Sequence, residues 1–175
     1  MFSNFKQDLQ RNLADYSTAS PLRRFALALT LNSIHALALI RLQLWLARHR
    51  LPTFVPAKLL FWFFKIEISS RATLGPGLRL PHPMGIIIAP NSHVGAHCDL
   101  YADVRLVLSH GRPPGPHLED GVFMGDGAKA VGAVRIGARS VIGVSAVVTR
   151  DIPPNAVAAG IPARVLGSDP SPPLS

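Results

Sequence analysis

From Ile68 onward an apolar residue recurs at every sixth position with a small or apolar residue four places after it, as in Ile136-Gly-Ala-Arg-Ser140-Val and Ile142-Gly-Val-Ser-Ala146-Val. The first positions run Ile68, Leu74, Leu80; Ile88, Val94, Leu100; Leu118, Met124, Ala130; Ile136, Ile142, Val148, which is twelve repeats in four triplets. Their fifth-position partners, from Ala72, Leu78 and Met84 to Ser140, Ala146 and Ile152, include no charged residue, so both positions are expected to point inward. A period of six fits neither the 3.6 of a helix nor the alternation of a strand. It fits a mainly β fold, a parallel β-helix whose three short faces close one triangular coil. Four coils at the usual interstrand spacing make a prism about 19 Å tall, filled by a column of inward residues.

Two interruptions break the period. Between the first and second coils Ile86 and Ile87 are read as an insertion. Between the second and third, residues 106–117 intervene and include Gly111-Arg-Pro-Pro-Gly-Pro116. Proline has no N–H for a ladder and glycine weakens one, so this segment is expected to leave the coil as an excursion loop.

Ahead of the repeats the pattern is helical. Residues 1–19 are polar with scattered apolar positions and suggest one short helix. Ser20-Pro21 supplies an N-cap and a first-turn proline, and the run to His49 holds no Pro or Gly, which predicts one long helix ended by Leu51-Pro52. Pro56 opens a second helix, Ala57 to Lys65, whose Phe61, Phe63 and Phe64 are candidates to cover the open end of the prism. The expected division is an N-terminal helical segment 1–65, a β-helix domain 66–167 and a disordered tail 168–175. Pro153-Pro154 stops the repeats, and Gly160-Ile-Pro-Ala-Arg164 reads as a closing strand.

Composition changes this picture little: 48% hydrophobic content is ample for a core in 175 residues. The single cysteine, Cys98, excludes an internal disulfide and falls in an inward slot, where a buried core atom is expected rather than a nucleophile. Met1 to Ala19 is too polar for a cleavable signal, so the cytoplasm is the expected compartment. The net charge of +8 favours anionic partners, yet no nucleic-acid motif is present. Sixteen uncharged residues lie between Arg24 and Arg41, short of the roughly 20 that span a bilayer. Packing on the prism is the expected role of that helix. The alternative is peripheral contact with the inner face of a membrane, because Arg23, Arg24, Arg41, Arg48, Arg50, Lys58 and Lys65 flank apolar surface that includes Trp45 and Trp62.

Candidate chemistry sits at the first coil. Glu67 precedes it by one residue and His82 follows fifteen residues later, both in outward phase, which should place a carboxylate and an imidazole on neighbouring coils near one corner. A carboxylate that fixes the tautomer of a histidine makes a general base.

The stretch from Glu67-Ile-Ser-Ser-Arg71 through Leu80-Pro-His82-Pro-Met-Gly-Ile-Ile-Ile88 resembles the first coil of serine O-acetyltransferases and of their colanic-acid-type relatives in exopolysaccharide operons. The ending Ile152-Pro-Pro-Asn-Ala-Val-Ala-Ala-Gly-Ile-Pro-Ala-Arg164 is similar to the shared terminus, and the likeness runs from about His35 to Gly167. The resemblance implies a left-handed β-helix, a homotrimer with active sites between prisms, and direct attack of an acceptor hydroxyl on acetyl-CoA. It makes His82 the base and Glu67 its orienter. It places acetyl-CoA along the outer coil surface at Gly125, Gly127 and Ala128; on position alone Lys129 ranks ahead of Arg135, Arg139 and Arg150 for its phosphates.

Where serine acetyltransferases carry an Asp before the base and Arg-His-Pro-x-Ile entering the third coil, this chain has Pro81 and Gly115-Pro-His117-Leu118. Asp103 and Val107 replace glycines of the family pattern. These departures favour a saccharide acceptor over free serine, bound by His110, Arg112 and His117. Two other readings remain: a zinc lyase built on His82, His93, His97, His110 and His117, whose spacing matches no recognised ligand set so that no metal is expected, and a β-helix scaffold without activity.

Overall fold

The computed structural model describes residues 2–18 and 20–168; the tail from 169 lies outside them. Four helices lead: α1 (Phe2–Asn12), α2 (Pro21–Thr30), α3 (Asn32–Arg48) and α4 (Phe54–Phe64), with one 3-10 turn at Ala14–Tyr16. Ser20 caps α2 by accepting from the Arg23 amide. The single long helix expected from Ser20 to His49 is interrupted at Leu31, whose backbone is extended. No Pro or Gly marks the break. Thr30 Oγ1 bonds back to the carbonyls of Ala26 and Leu27, and Asn-Ser follows, residues that compete with the helical ladder through their side chains.

The repeats then build a parallel solenoid of about five turns. Face A stacks β1 (Glu67–Ile68), β3 (Ile87–Ile88), β6 (Arg105–Val107), β9 (Lys129–Val131) and β12 (Val147–Val148). Face B stacks β2 (Thr73–Leu74), β4 (His93–Val94), β7 (His117–Leu118) and β10 (Arg135–Ile136), continued by a bridge from Ile136 to Ile152. Face C stacks β5 (Asp99–Leu100), β8 (Phe123–Met124), β11 (Val141–Ile142) and β13 (Val157–Ala159), with Arg79 bridged below and antiparallel β14 (Arg164–Gly167) closing the sheet.

The count rises from four coils to five because Leu106 keeps the period. It is fully buried in β6, so the third coil starts there and the excursion shortens from 106–117 to 108–116. The other interruption also moves. Met84 is 61% exposed and Ile86 takes the inward slot, while the Glu67 amide donates to the Ile86 carbonyl and Glu67 pairs with Ile87. The two extra residues therefore lie in the corner around His82. Burying Ile86 rather than a flexible methionine fixes that choice.

Corners need a residue in the left-handed region. At the edge joining face C to face A these are Gly85, Asp103, Gly127 and Ser145; at the edge joining B to C they include Gly77, His97, Gly121, Arg139 and Asn155. Close stacking adds a second demand: a Cβ on Gly75 would stand 2.5 Å from the Gly95 carbonyl carbon.

The lower end is covered by helices, and of the three aromatics expected there Phe64 alone packs against the core. Phe61 and Phe63 are exposed, and it is Leu37 and Ile40 of α3, with Leu60 and Ile66, that join the solenoid core. Polar side chains meet the unpaired rung beneath them. Gln43 donates to the Ile68 carbonyl of face A at 2.6 Å, and Arg41 to Leu74 of face B at 2.8 Å. Asp8 accepts from the Leu78 amide, and Asn12 exchanges bonds with the Leu78 carbonyl and Leu80 amide, on the side of face C. Asp8 is wholly buried and is paired at 2.7 Å with Arg41.

Candidate active site

His82 stands in the enlarged corner between faces C and A, held by Pro81 and the buried Pro83. The turn is tied on both sides: Met84 N donates to His82 O, Gly85 N to Phe64 O, and Asp103 N to Met84 O. The imidazole is exposed, with its ring centroid 6.1 Å from that of Tyr101 in an edge-on contact. Tyr101 in turn lies 5.0 Å from Phe123, so an aromatic line climbs this edge from His82. Tyr101 was not among the sequence candidates. Its only sign was an outward position directly after Leu100, one coil above the Leu80-Pro-His82 corner.

Glu67 lies on β1, just past the same edge and one rung below Ile87. No hydrogen bond joins its carboxylate to His82 among the described residues, so the pairing expected from spacing is not formed in this chain. Glu67 instead lines a cavity of about 410 Å³ with Gln43, Ser69 and Pro90, where the buried Gln43 Oε1 has no partner. A different carboxylate approaches the His82 turn: Asp103, at φ 55°, lays its side chain over Gly85, where any Cβ would collide with it.

Gly125, Gly127 and Ala128 occupy this same edge two coils above His82, about 10 Å along the prism axis. Their amides are not free to meet a ligand as expected. Gly125 N donates to Ile142 O and Gly127 N to Ala102 O, between coils, Ala128 N closes the corner turn onto Gly125 O, and the Ala128 side chain is buried. A ligand here meets carbonyls and Lys129, whose ammonium rests 2.9 Å from Gly127 O. Of the other cations considered, Arg135 is ion-paired to Glu119, Arg139 donates to Asn155, and Arg150 lies at the edge between faces A and B, which leaves Lys129 best placed on this edge.

The excursion leaves from the opposite edge, between faces A and B. His110 and Arg112 wall a cavity of about 560 Å³ with Pro113, Pro114 and Ala133, and Ser109 Oγ lies 3.1 Å from His110 Nδ1. His117 does not join them. It sits on β7, stacked on His93 with centroids 4.3 Å apart, and Arg135 follows one rung higher. Burial, then the neighbouring His93 and Arg135, hold the His117 pKa below the ordinary imidazole value against the opposing pull of Glu119. One prism thus keeps His82 and the His110–Arg112 pair on different edges.

Cys98 is buried, and burial pushes its thiol up to about 11, which suits a core atom and not a nucleophile. Among the described residues no three His, Cys, Asp or Glu side chains converge as a metal site. What remains is an exposed imidazole at the enlarged corner between faces C and A. That arrangement suits proton removal from a bound hydroxyl.

No family model matches the chain. It is 37% identical over 138 residues to a serine acetyltransferase of Synechococcus elongatus, covering 75% of this chain and 55% of that protein. A serine acetyltransferase of Brucella abortus in complex with coenzyme A superposes with a TM-score of 0.85 at 28% identity, over 95% of this chain and 67% of that one. A Neisseria gonorrhoeae serine acetyltransferase in complex with serine gives 0.80 at 27% identity, over 93% and 67%. The chain spans about half the length of the curated relatives it matches.

Proposed function

We propose that this chain, a hexapeptide-repeat protein similar in sequence and fold to serine acetyltransferases, transfers acetyl from acetyl-CoA to the hydroxyl of L-serine or a close amino-acid relative. The observation that carries the reading is the His82 corner, where two extra residues lift an exposed imidazole out of the ladder. His82 takes the hydroxyl proton as the oxygen attacks the thioester carbon. The tetrahedral adduct then expels the CoA thiolate, which recovers the proton from the imidazolium. Lys129 and the carbonyls of the Gly125–Gly127 corner hold the CoA arm on the same edge, and Glu67 orients the base once the site is complete.

The acceptor differs from the saccharide expected from sequence. The similar proteins are named serine acetyltransferases, and none of those given above is a polysaccharide enzyme. Loss of an Asp at position 81 weighed toward a sugar, but the corner supplies another carboxylate in Asp103, laid across Gly85 next to the His82 turn. Asp103 meets the ammonium of the amino acid. Its carboxylate finds Arg112 from a neighbouring copy, because a threefold arrangement sets the excursion edge of one prism against the His82 edge of the next. The oligomer is therefore part of the proposal and not an addition to it.

Thiol release from acetyl-CoA, measured at steady state with L-serine against nucleotide- and lipid-linked sugars, tests the reading. A serine kcat/KM of about 10⁴ M⁻¹s⁻¹ or better supports it. Turnover with sugars alone would restore the saccharide acceptor, and the absence of thiol release with every acceptor would leave a scaffold.

A further inference from the structure

α4 has an outer face unlike that of an ordinary surface helix. Pro56 and Leu60 point into the fold, while Phe54, Val55 and Trp62 are each about two-thirds exposed and Phe61 partly so. The only charges on that face are two lysines. Lys58 Nζ lies 5.9 Å from the Phe54 ring centroid and Lys65 Nζ 5.1 Å from that of Phe61, so each stem follows a ring and carries its ammonium to the rim. Phe63, 72% exposed, walls a cleft of about 330 Å³ with Leu39, Leu59 and Phe64 between α3 and α4.

Charge decides what covers this face. From Tyr16 to Ile66 the chain holds seven Arg and Lys and not one Asp or Glu. Arg41 is neutralised by Asp8, which comes from α1. Arg48, Arg50, Lys58 and Lys65 have no carboxylate of their own segment to pair with. A second copy docking through the same helix would set lysine against lysine across an apolar seam. A bilayer with anionic headgroups satisfies both halves of the pattern: aromatic rings enter the headgroup boundary and the ammonium groups remain at the phosphates.

We propose that α4 is an interfacial anchor that lays this protein on an anionic lipid surface. The contact is peripheral, since no helix among the described residues is long and apolar enough to cross a membrane. It is independent of acetyl transfer.

Vesicle sedimentation with the full chain tests it, using phosphatidylcholine alone and phosphatidylcholine mixed with phosphatidylglycerol. The expected result is partitioning onto the anionic vesicles, weakened by salt. The double substitution Lys58→Glu and Lys65→Glu should weaken it by about fivefold for each lysine, about 25-fold or more together. With Trp45→Phe, Trp62 is the only tryptophan left, and its emission should shift to the blue on anionic vesicles and not on neutral ones. These side chains are exposed, and unchanged circular dichroism would verify that the variants fold. No partitioning, equal partitioning onto both vesicle types, or an unaffected double variant would overturn the proposal. So would an oligomer in lipid-free solution that Trp62→Ser dissolves, which would assign the face to a second copy.

Discussion

Two edges of the prism are built alike and differ at one corner. Along the edge between faces B and C, His97 sits in the left-handed corner position over Gly77; along the edge between C and A, Asp103 sits in the equivalent position over Gly85. Each side chain fills the space its glycine leaves open. The difference is the pair of extra residues that raises His82 out of register on one edge only. Regular rungs commit their strand amides to the ladder, and extra residues that enter a corner escape that commitment.

The sharpest way to break this comparison is to exchange histidines. His82→Ala should lower kcat by about 10² to 10⁴ while acetyl-CoA affinity holds, and His97→Ala should leave kcat within about twofold, both read from thiol release. Equal losses would erase the distinction between the edges. Next, Asp103→Asn should raise the KM for serine about tenfold with little change in kcat, as expected when a charge-assisted hydrogen bond is lost. An unchanged KM would return Asp103 to a purely structural corner. Gly85→Ala and Gly77→Ala should each cost about 1–2 kcal/mol in denaturant unfolding, because both carry φ near 70° beneath a side chain. Only Gly85→Ala should also reduce turnover.

The smallest effect belongs to face B, away from both edges. His117 has a folded pKa below the ordinary imidazole value, so protonation favours the unfolded chain. Its contribution to stability is present above about pH 6.5, the unfolded imidazole value, and is lost as pH falls through that value toward the lower folded one. His117→Gln should flatten this part of the stability–pH curve. The measurement is denaturant midpoint against pH for both proteins, and an identical slope would remove His117 as the cause.

The sixfold period made the solenoid, its inward column and the outward phase of His82 legible, because each depends on local spacing alone. Leu106 was misplaced since the next repeat after it is displaced by the excursion, so the residue looked like the start of a loop. Met84 and Ile86 compete for one slot, and only the pairing of β1 with β3 decides between them. The break at Leu31 depends on a threonine side chain bonding back to its own helix. Least legible was Asp8. In a polar leader an aspartate looks solvated, yet its partners are Arg41 on another helix and the Leu78 amide seventy positions away. The site split the same way: the His82 corner followed from spacing, whereas Tyr101, the busy amides near Gly125 and the separation of His117 from His110 depend on which edge each coil reaches.

The polar lid of α1 and α3 also limits the molecule's size. A solenoid rung is a template: its open N–H and C=O groups, repeated on three faces, accept another rung of the same shape whether or not it belongs to the same chain. At the top, antiparallel β14 ends face C with a strand of the wrong direction for further parallel addition. At the bottom, Gln43, Arg41, Asp8 and Asn12 occupy one face each or share one, so the template is answered by side chains that cannot be extended. Detaching α1 would uncover the face C rung and bring its buried Asp8 into water, leaving the Leu78 and Leu80 backbone groups at the lower end without their side-chain partners.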